Sequence, residues 1–136
     1  MAGCVLDSWA LLAFFEDEPA APAVEELLHQ AGRGRHRLLL TTVNWAEVYY
    51  ATMRAVSPEA AEQQARTIAG LPIELIGISD DLKLARAAAR IKGRHRLSLA
   101  DAFAAALAQE TKAELVTGDR EFKPLERELR IRWLTA

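Results

Sequence analysis

Cys4-Val5-Leu6-Asp7-Ser8-Trp9-Ala10-Leu11-Leu12 is the stretch that decides the fold. It begins as a short apolar run, passes through Asp7 and Ser8, and continues as an apolar run with helical character. A strand that ends on a carboxylate, with a helix starting at once, sets that carboxylate at the carboxyl end of a sheet. In open α/β sheets ligands bind at that edge. Asp and Ser are also favoured helix N-caps, so Asp7 has a purely structural reading as well.

The rest of the chain repeats the same alternation. Leu38–Thr42 reads as a second strand, with Thr42 capping a helix through Trp45, Val48, Tyr49 and Met53. Between the first two strands, Pro22 fits the first turn of a helix with Val24, Leu27 and Leu28 on one stripe. Ser57-Pro58-Glu59 starts a fourth helix that stops near Gly70. Ile73–Ile76 is a third strand. Ser79 is expected to cap a fifth helix, with Asp80 and Asp81 at its positive end. Leu99–Glu110 is an alanine-rich helix, apolar nearly all round and hence buried. Leu115–Thr117 and Ile131–Leu134 are the last strands. Strands alternating with helices predict an α/β fold, a mainly parallel central sheet covered on both faces. At 136 residues one domain over 1–136 is expected, able to bury roughly 70% of its unfolded surface.

Composition narrows the function. Net charge is −2, with 51% hydrophobic residues. That excludes a disordered chain and one that coats nucleic acid by bulk charge. The single Cys4 excludes an internal disulfide and fits a reducing, cytoplasmic setting. No run approaches the roughly 18 to 20 apolar residues of a membrane span. The N-terminus carries no basic region followed by an apolar segment, so no secretory signal is expected.

Four acids carry the functional argument. Asp101 completes a capping box, Ser98-Leu99-Ala100-Asp101. It also shares a helical stripe with Ala104, Ala105 and Ala108, and a carboxylate facing packed protein is costly unless paired or metal-bound. Glu47 shares a stripe with Val43, Tyr50 and Ala51; taken alone, it reads better as an acid in water. Asp119 follows Thr117-Gly118 directly after a strand, where Gly-Asp is an ordinary turn pair. If the strands before Asp7 and Asp119 lie side by side, those two acids converge. Four converging acids suit Mg²⁺ or Mn²⁺, hard ions that take oxygen ligands. Such a site can aid attack of water on a phosphodiester. Mutual repulsion should raise the pKa of at least one acid.

Val5–Ser8, Asn44–Val48, Leu97–Ala102 and Val116–Asp119 together resemble the PIN-domain ribonucleases, and most of all the VapC-type toxins of toxin–antitoxin pairs. The likeness spans essentially the whole chain. It implies a three-layer α/β/α domain and a Mg²⁺- or Mn²⁺-dependent endoribonuclease acting on structured RNA. It also implies dimerisation, and inhibition by a small antitoxin encoded nearby. Such an antitoxin would lay a basic segment over the acidic site, where a guanidinium fork fits carboxylates. Asp7, Glu47, Asp101 and Asp119 fall on the family's acids, as catalytic and metal-binding residues. Ser8, Asn44 and Thr117 match polar positions beside them and would orient waters or carboxylates.

Two basic clusters, around Arg33, Arg35 and Arg37 and around Arg94 and Arg96, are either solvated loop charge or contacts to RNA phosphates. The three histidines share no ligand spacing. Two other readings stand beside the toxin: an RNA-processing PIN nuclease without antitoxin, and a non-catalytic module whose acids hold a structural cation. A phosphatase of the haloacid dehalogenase type would need an Asp where Trp9 stands.

Overall fold

The computed structural model describes residues 2–134. Met1, Thr135 and Ala136 of the expected 1–136 domain lie outside the described residues. The chain runs β1 (Gly3–Leu6), α1 (Ser8–Phe15), α2 (Ala21–Gly32), β2 (Arg37–Thr41), α3 (Thr42–Ala55), α4 (Pro58–Ala69), β3 (Glu74–Ile76), α5 (Lys83–Arg94), α6 (Leu99–Thr111), β4 (Glu114–Thr117), a 3₁₀ helix (Arg120–Leu125) and β5 (Ile131–Trp133).

The five strands form one sheet in the order β3-β2-β1-β4-β5. Every pairing is parallel. In the three central strands, β1, β2 and β4, residues alternate between two buried faces, which is why these strands read as continuous apolar runs. Val5, Leu39 and Leu115 face α5 and α6, with Ile91, Phe103 and Leu107. Cys4, Leu6, Leu38, Leu40 and Val116 face the other layer, with Leu11, Val24, Leu27, Leu28 and Val48. This is the expected three-layer α/β/α arrangement. Residues 100 to 108 of α6 are all buried, and six of those nine are alanine. Small side chains let this helix lie close to the sheet on one side and α5 on the other.

Three local expectations change. Thr41, not Thr42, caps α3; its hydroxyl accepts from the Asn44 backbone N–H at 2.9 Å. The strand is thus one residue shorter at this end, and the cap is buried. Ser79 does not cap α5. That helix starts at Lys83, after Leu82 in a left-handed conformation at φ 63°. Ser79 instead donates to the Asp81 carboxylate, which accepts from the Lys83 N–H. The acid takes over the capping bond, because its carboxylate reaches the first helical N–H. The second strand also begins one residue earlier, at Arg37.

The strand order reverses between β1 and β4, since β1 connects outward to β2 and β4 pairs on its other side. The crevice outside their carboxyl ends is the topological switch point. Leu6 pairs with Val116, so Asp7, just past β1, stands beside Thr117, the last residue of β4. No helix among the described residues is long and apolar enough to cross a membrane.

Candidate active site

At this crevice the chain builds a cleft of about 240 Å³, whose walls include Glu47 from α3, Ser98 and Asp101 from the start of α6, Asp119 after β4, and Trp9 and Tyr50. Carboxylate oxygens of Asp101, Asp119 and Glu121 all lie within 4.8 Å of one another. The structure thus brings Asp101 and Asp119 together, with Glu47 on the same cleft. Glu121, which lies outside the motifs of the sequence, joins them. It sits on the 3₁₀ helix, and the Asp119 carboxylate accepts from its backbone N–H at 3.0 Å. Two acids separated by one residue just past a strand end were the available signal.

Asp7 lies beneath the cleft and is fully buried. One of its oxygens accepts from the Ala10 N–H at 2.8 Å, capping α1. The other accepts from the Thr117 hydroxyl. Thr117 in turn accepts from the Asp119 N–H at 2.9 Å. One buried hydroxyl therefore fixes both Asp7 and the backbone that carries Asp119. Asp7 keeps lone pairs beyond these two bonds, since an ionised carboxylate offers about four acceptor sites.

Ser8 lies on the wall of the same cleft, and Asn44 is buried next to it. Neither bonds a carboxylate. Asn44, fully buried, donates to the Ser8 hydroxyl at 3.0 Å and to the Ala100 carbonyl at 3.2 Å, and accepts from Thr41. It ties α1, the end of β2 and the first turn of α6 into one frame beneath the acids. Each buried polar atom of that frame has a partner, which fixes one geometry.

Burial dominates the electrostatics. Asp7 is pushed up to about 8, first by loss of hydration and then by Asp101 and Asp119; the bonds from Thr117 and Ala10 offset part of this. Asp101 is pushed up to about 7, again first by burial, then by Asp119 and Glu47. The expected repulsion is present, but desolvation is the larger cause. Neighbouring negative charge and low hydration are what a divalent cation relieves.

The donor set is all carboxylate oxygen, with no His or Cys, so it suits Mg²⁺ or Mn²⁺ rather than a softer metal. The histidines lie elsewhere: His36 against the Leu27 carbonyl, His95 against Glu128, His29 exposed near Glu25.

Gly118 reads as a turn residue in the sequence. In the structure it sits under the Trp9 indole, and a Cβ there would lie 2.2 Å from the ring. Gly118→Ala should force the indole, and with it the cleft wall, to move. A melting curve should show a loss of about 1–3 kcal/mol, the usual cost of overpacking. An unchanged midpoint would mean that Trp9 does not rest on this glycine.

The two basic clusters end up far apart in the fold. Arg33, Arg35 and Arg37 precede or open β2, at the amino edge of a parallel sheet whose carboxyl edge holds the acids. Arg37 is further engaged by Glu74 in a two-point ion pair at 2.7 and 2.8 Å. These three are not brought to the cleft. Arg94 and Arg96 stand at the other edge, just before Ser98 on the cleft wall.

Comparison with known proteins agrees with this geometry. The sequence matches the PIN domain over residues 4–128, and the chain belongs to the PIN-domain family. Its fold is similar to that of VapBC2 from Rickettsia felis, bound to a fragment of promoter DNA, at TM-score 0.73 and 16% identity over 98% of this chain and 99% of that one. It is also similar to VapC20 from Mycobacterium tuberculosis, a sarcin–ricin loop cleaving toxin, at TM-score 0.69 and 14% identity over 89% and 93%. A toxin–antitoxin complex from Klebsiella pneumoniae gives TM-score 0.66 and 21% identity over 88% and 89%. No curated relative matches the sequence.

Proposed function

We propose that this protein is a Mg²⁺- or Mn²⁺-dependent endoribonuclease that acts as the toxin of a toxin–antitoxin pair on structured RNA. The observation that carries it is the meeting of Asp101, Asp119 and Glu121 within 4.8 Å at the switch point, beside Glu47 and above Asp7. Membership of the PIN family supports phosphodiester hydrolysis, and toxins among the structural neighbours support the biological role.

In this reading Asp101, Asp119 and Glu121, whose oxygens meet, would hold the ion, with Asp7 and Glu47 as the further acids of the set. A bound divalent ion supplies charge neutralisation at phosphate and a water of lowered pKa. The chain's own part is positional. Thr117 holds Asp7 and the Asp119 backbone, Ser98 fixes the first turn of α6, and the Asn44 frame keeps α1, α3 and α6 in register. The partly exposed Trp9 and Tyr50 offer aromatic faces at the cleft, on which unpaired bases can stack.

The partner is a small antitoxin whose basic segment covers the acids, and the active form is a homodimer. The buried free thiol of Cys4 is consistent with a reducing cytoplasm. The test is expression with and without the product of the neighbouring short reading frame, followed by mapping of RNA ends. New ends at few sites, absent when the partner is present, are expected. If no new ends form, the nuclease reading falls; if the partner at saturating amounts leaves them unchanged, the antitoxin reading falls.

A further inference from the structure

Six of the chain's 17 Lys and Arg stand between Lys83 and Arg96, with no Asp or Glu among them, in a chain of net charge −2. Their arrangement on α5 is not the usual mixed surface. Lys83, Arg86, Arg90 and Arg94 fall within about 80° of arc at 3.6 residues per turn. The opposite side of the helix buries Leu84, Ala88 and Ile91. All four cations are exposed. Lys83 reaches Glu110 at 3.5 Å. Among the described residues no carboxylate lies within 4.0 Å of Arg86, Arg90, Arg94 or Arg96.

This pattern costs stability. Like charges three and four residues apart on a helix repel one another and destabilise it. Arg94 at the last turn gains from the helix dipole, but Arg86 and Arg90 lie in mid-helix and do not.

The stripe has a direction. α5 and α6 run antiparallel: Lys83 meets Glu110 near the end of α6, and Lys92 donates to the Leu97 carbonyl at 2.9 Å just before α6 begins. The stripe therefore runs about 16 Å along the helix, at 1.5 Å per residue, toward Arg96 and Ser98 at the cleft mouth.

We propose that the Arg86–Arg90–Arg94 face of α5, continued by Arg96, is the track that holds the RNA backbone on one side of the cut. From Arg86 to Arg94 the track is about 12 Å long at 1.5 Å per residue, enough for about three or four phosphates of a duplex strand at ~3.4 Å of axis per charge. It gives a net acidic protein a local way to draw a polyanion to an acidic cleft. This rests on the ribonuclease reading, and locates the substrate arm within it.

The test is fluorescence anisotropy of a fluorescein-labelled RNA hairpin with Asp101→Asn protein, between about 50 and 200 mM KCl. Adding Arg86→Gln, Arg90→Gln and Arg94→Gln together should weaken binding at least tenfold at low salt. The slope of log K against log salt should flatten by about 2.7, at ~0.9 per lost contact to a duplex. Arg90→Gln alone should give about a third of that slope change, which keeps the test open if the triple variant folds poorly. Unchanged affinity and slope in the single and triple variants overturns the track. So does an equal loss from Arg33→Gln with Arg35→Gln, at the opposite edge of the sheet. Cleavage of the same hairpin by the unmutated protein in Mg²⁺ is scored separately. A track effect without cleavage removes the ribonuclease reading; cleavage without a track effect removes only the track.

Discussion

Asp101→Asn should lose RNA cleavage by far more than ~100-fold, while melting at the same temperature as the parent protein or higher in EDTA. The loss follows from its place among the acids: changing groups that merely support a metal's ligands already costs 10–100-fold. The stability result follows from burial. Asp101 is only 8% exposed, and its carboxyl is pushed up to about 7 because ionising it there is unfavourable. Asparagine keeps the shape without the charge. The N-cap is untouched, since Ser98 accepts from the residue 101 backbone N–H at 3.1 Å, a bond that the substitution preserves. Divalent metal should stabilise the parent through linkage, by about 2.7 kcal/mol at a hundred times its Kd, and the variant much less. Melting both proteins in EDTA and over a Mn²⁺ titration reads this out. A variant that melts several degrees lower in EDTA and keeps the full Mn²⁺ shift would make Asp101 a structural helix residue only.

The second large effect is on pH. Asp7 and Asp101 are pushed up to about 8 and about 7 in the folded protein, against about 3.9 for an unfolded Asp. Through the window from about pH 4 to 8 the folded state holds more protons than the unfolded state. Stability contributed by these two groups is then fully present below about pH 4 and is lost as pH rises through 7 and 8. The limiting slope is about 1.4 kcal/mol per pH unit for each extra proton held. Metal reverses the sign, because its ligands must ionise and binding releases protons. In EDTA, Tm should therefore fall between pH 5 and 8.5, and the gain from saturating Mn²⁺ should grow over that range. The double variant Asp7→Asn with Asp101→Asn should lose both trends. A parent Tm in EDTA that is flat over this range, with a Mn²⁺ gain independent of pH, would mean that the acids ionise in the fold without cost.

Much of this site could be read before the fold was in view. Asp7 and Asp119 each follow an apolar run that ends at a turn, and the β1–β4 pairing makes them neighbours. Asp101 on an alanine stripe announced a buried carboxylate. What stayed hidden depends on contacts between distant parts of the chain. Glu121 sits in a 3₁₀ turn with no apolar period to mark it, and only the turn's path brings it to Asp101. Gly118 serves as the bed of Trp9, more than a hundred residues away. The bonds of the Asn44 amide to Ser8, Ala100 and Thr41 join segments far apart in the chain and have no signal in the sequence. The basic residues were equally ambiguous, because a loop's charge says nothing about which edge of the sheet it occupies. Strand direction separates Arg33, Arg35 and Arg37 from the cleft and leaves Arg94 and Arg96 near it. α3 begins one residue earlier than its sequence suggests, so Thr41 caps it, and Asp81 bonds the first N–H of α5 in place of Ser79.

We propose that the carboxylates at the switch point hold a divalent ion with which the chain cuts RNA. The direct measurement is cleavage of a 5′-labelled structured RNA by the purified protein in Mn²⁺, in excess EDTA, and in EDTA followed by restored Mn²⁺. Cleavage in the first, none in the second and recovery in the third is expected, with Asp101→Asn inactive throughout. Undiminished cleavage in EDTA, or by Asp101→Asn, would contradict it.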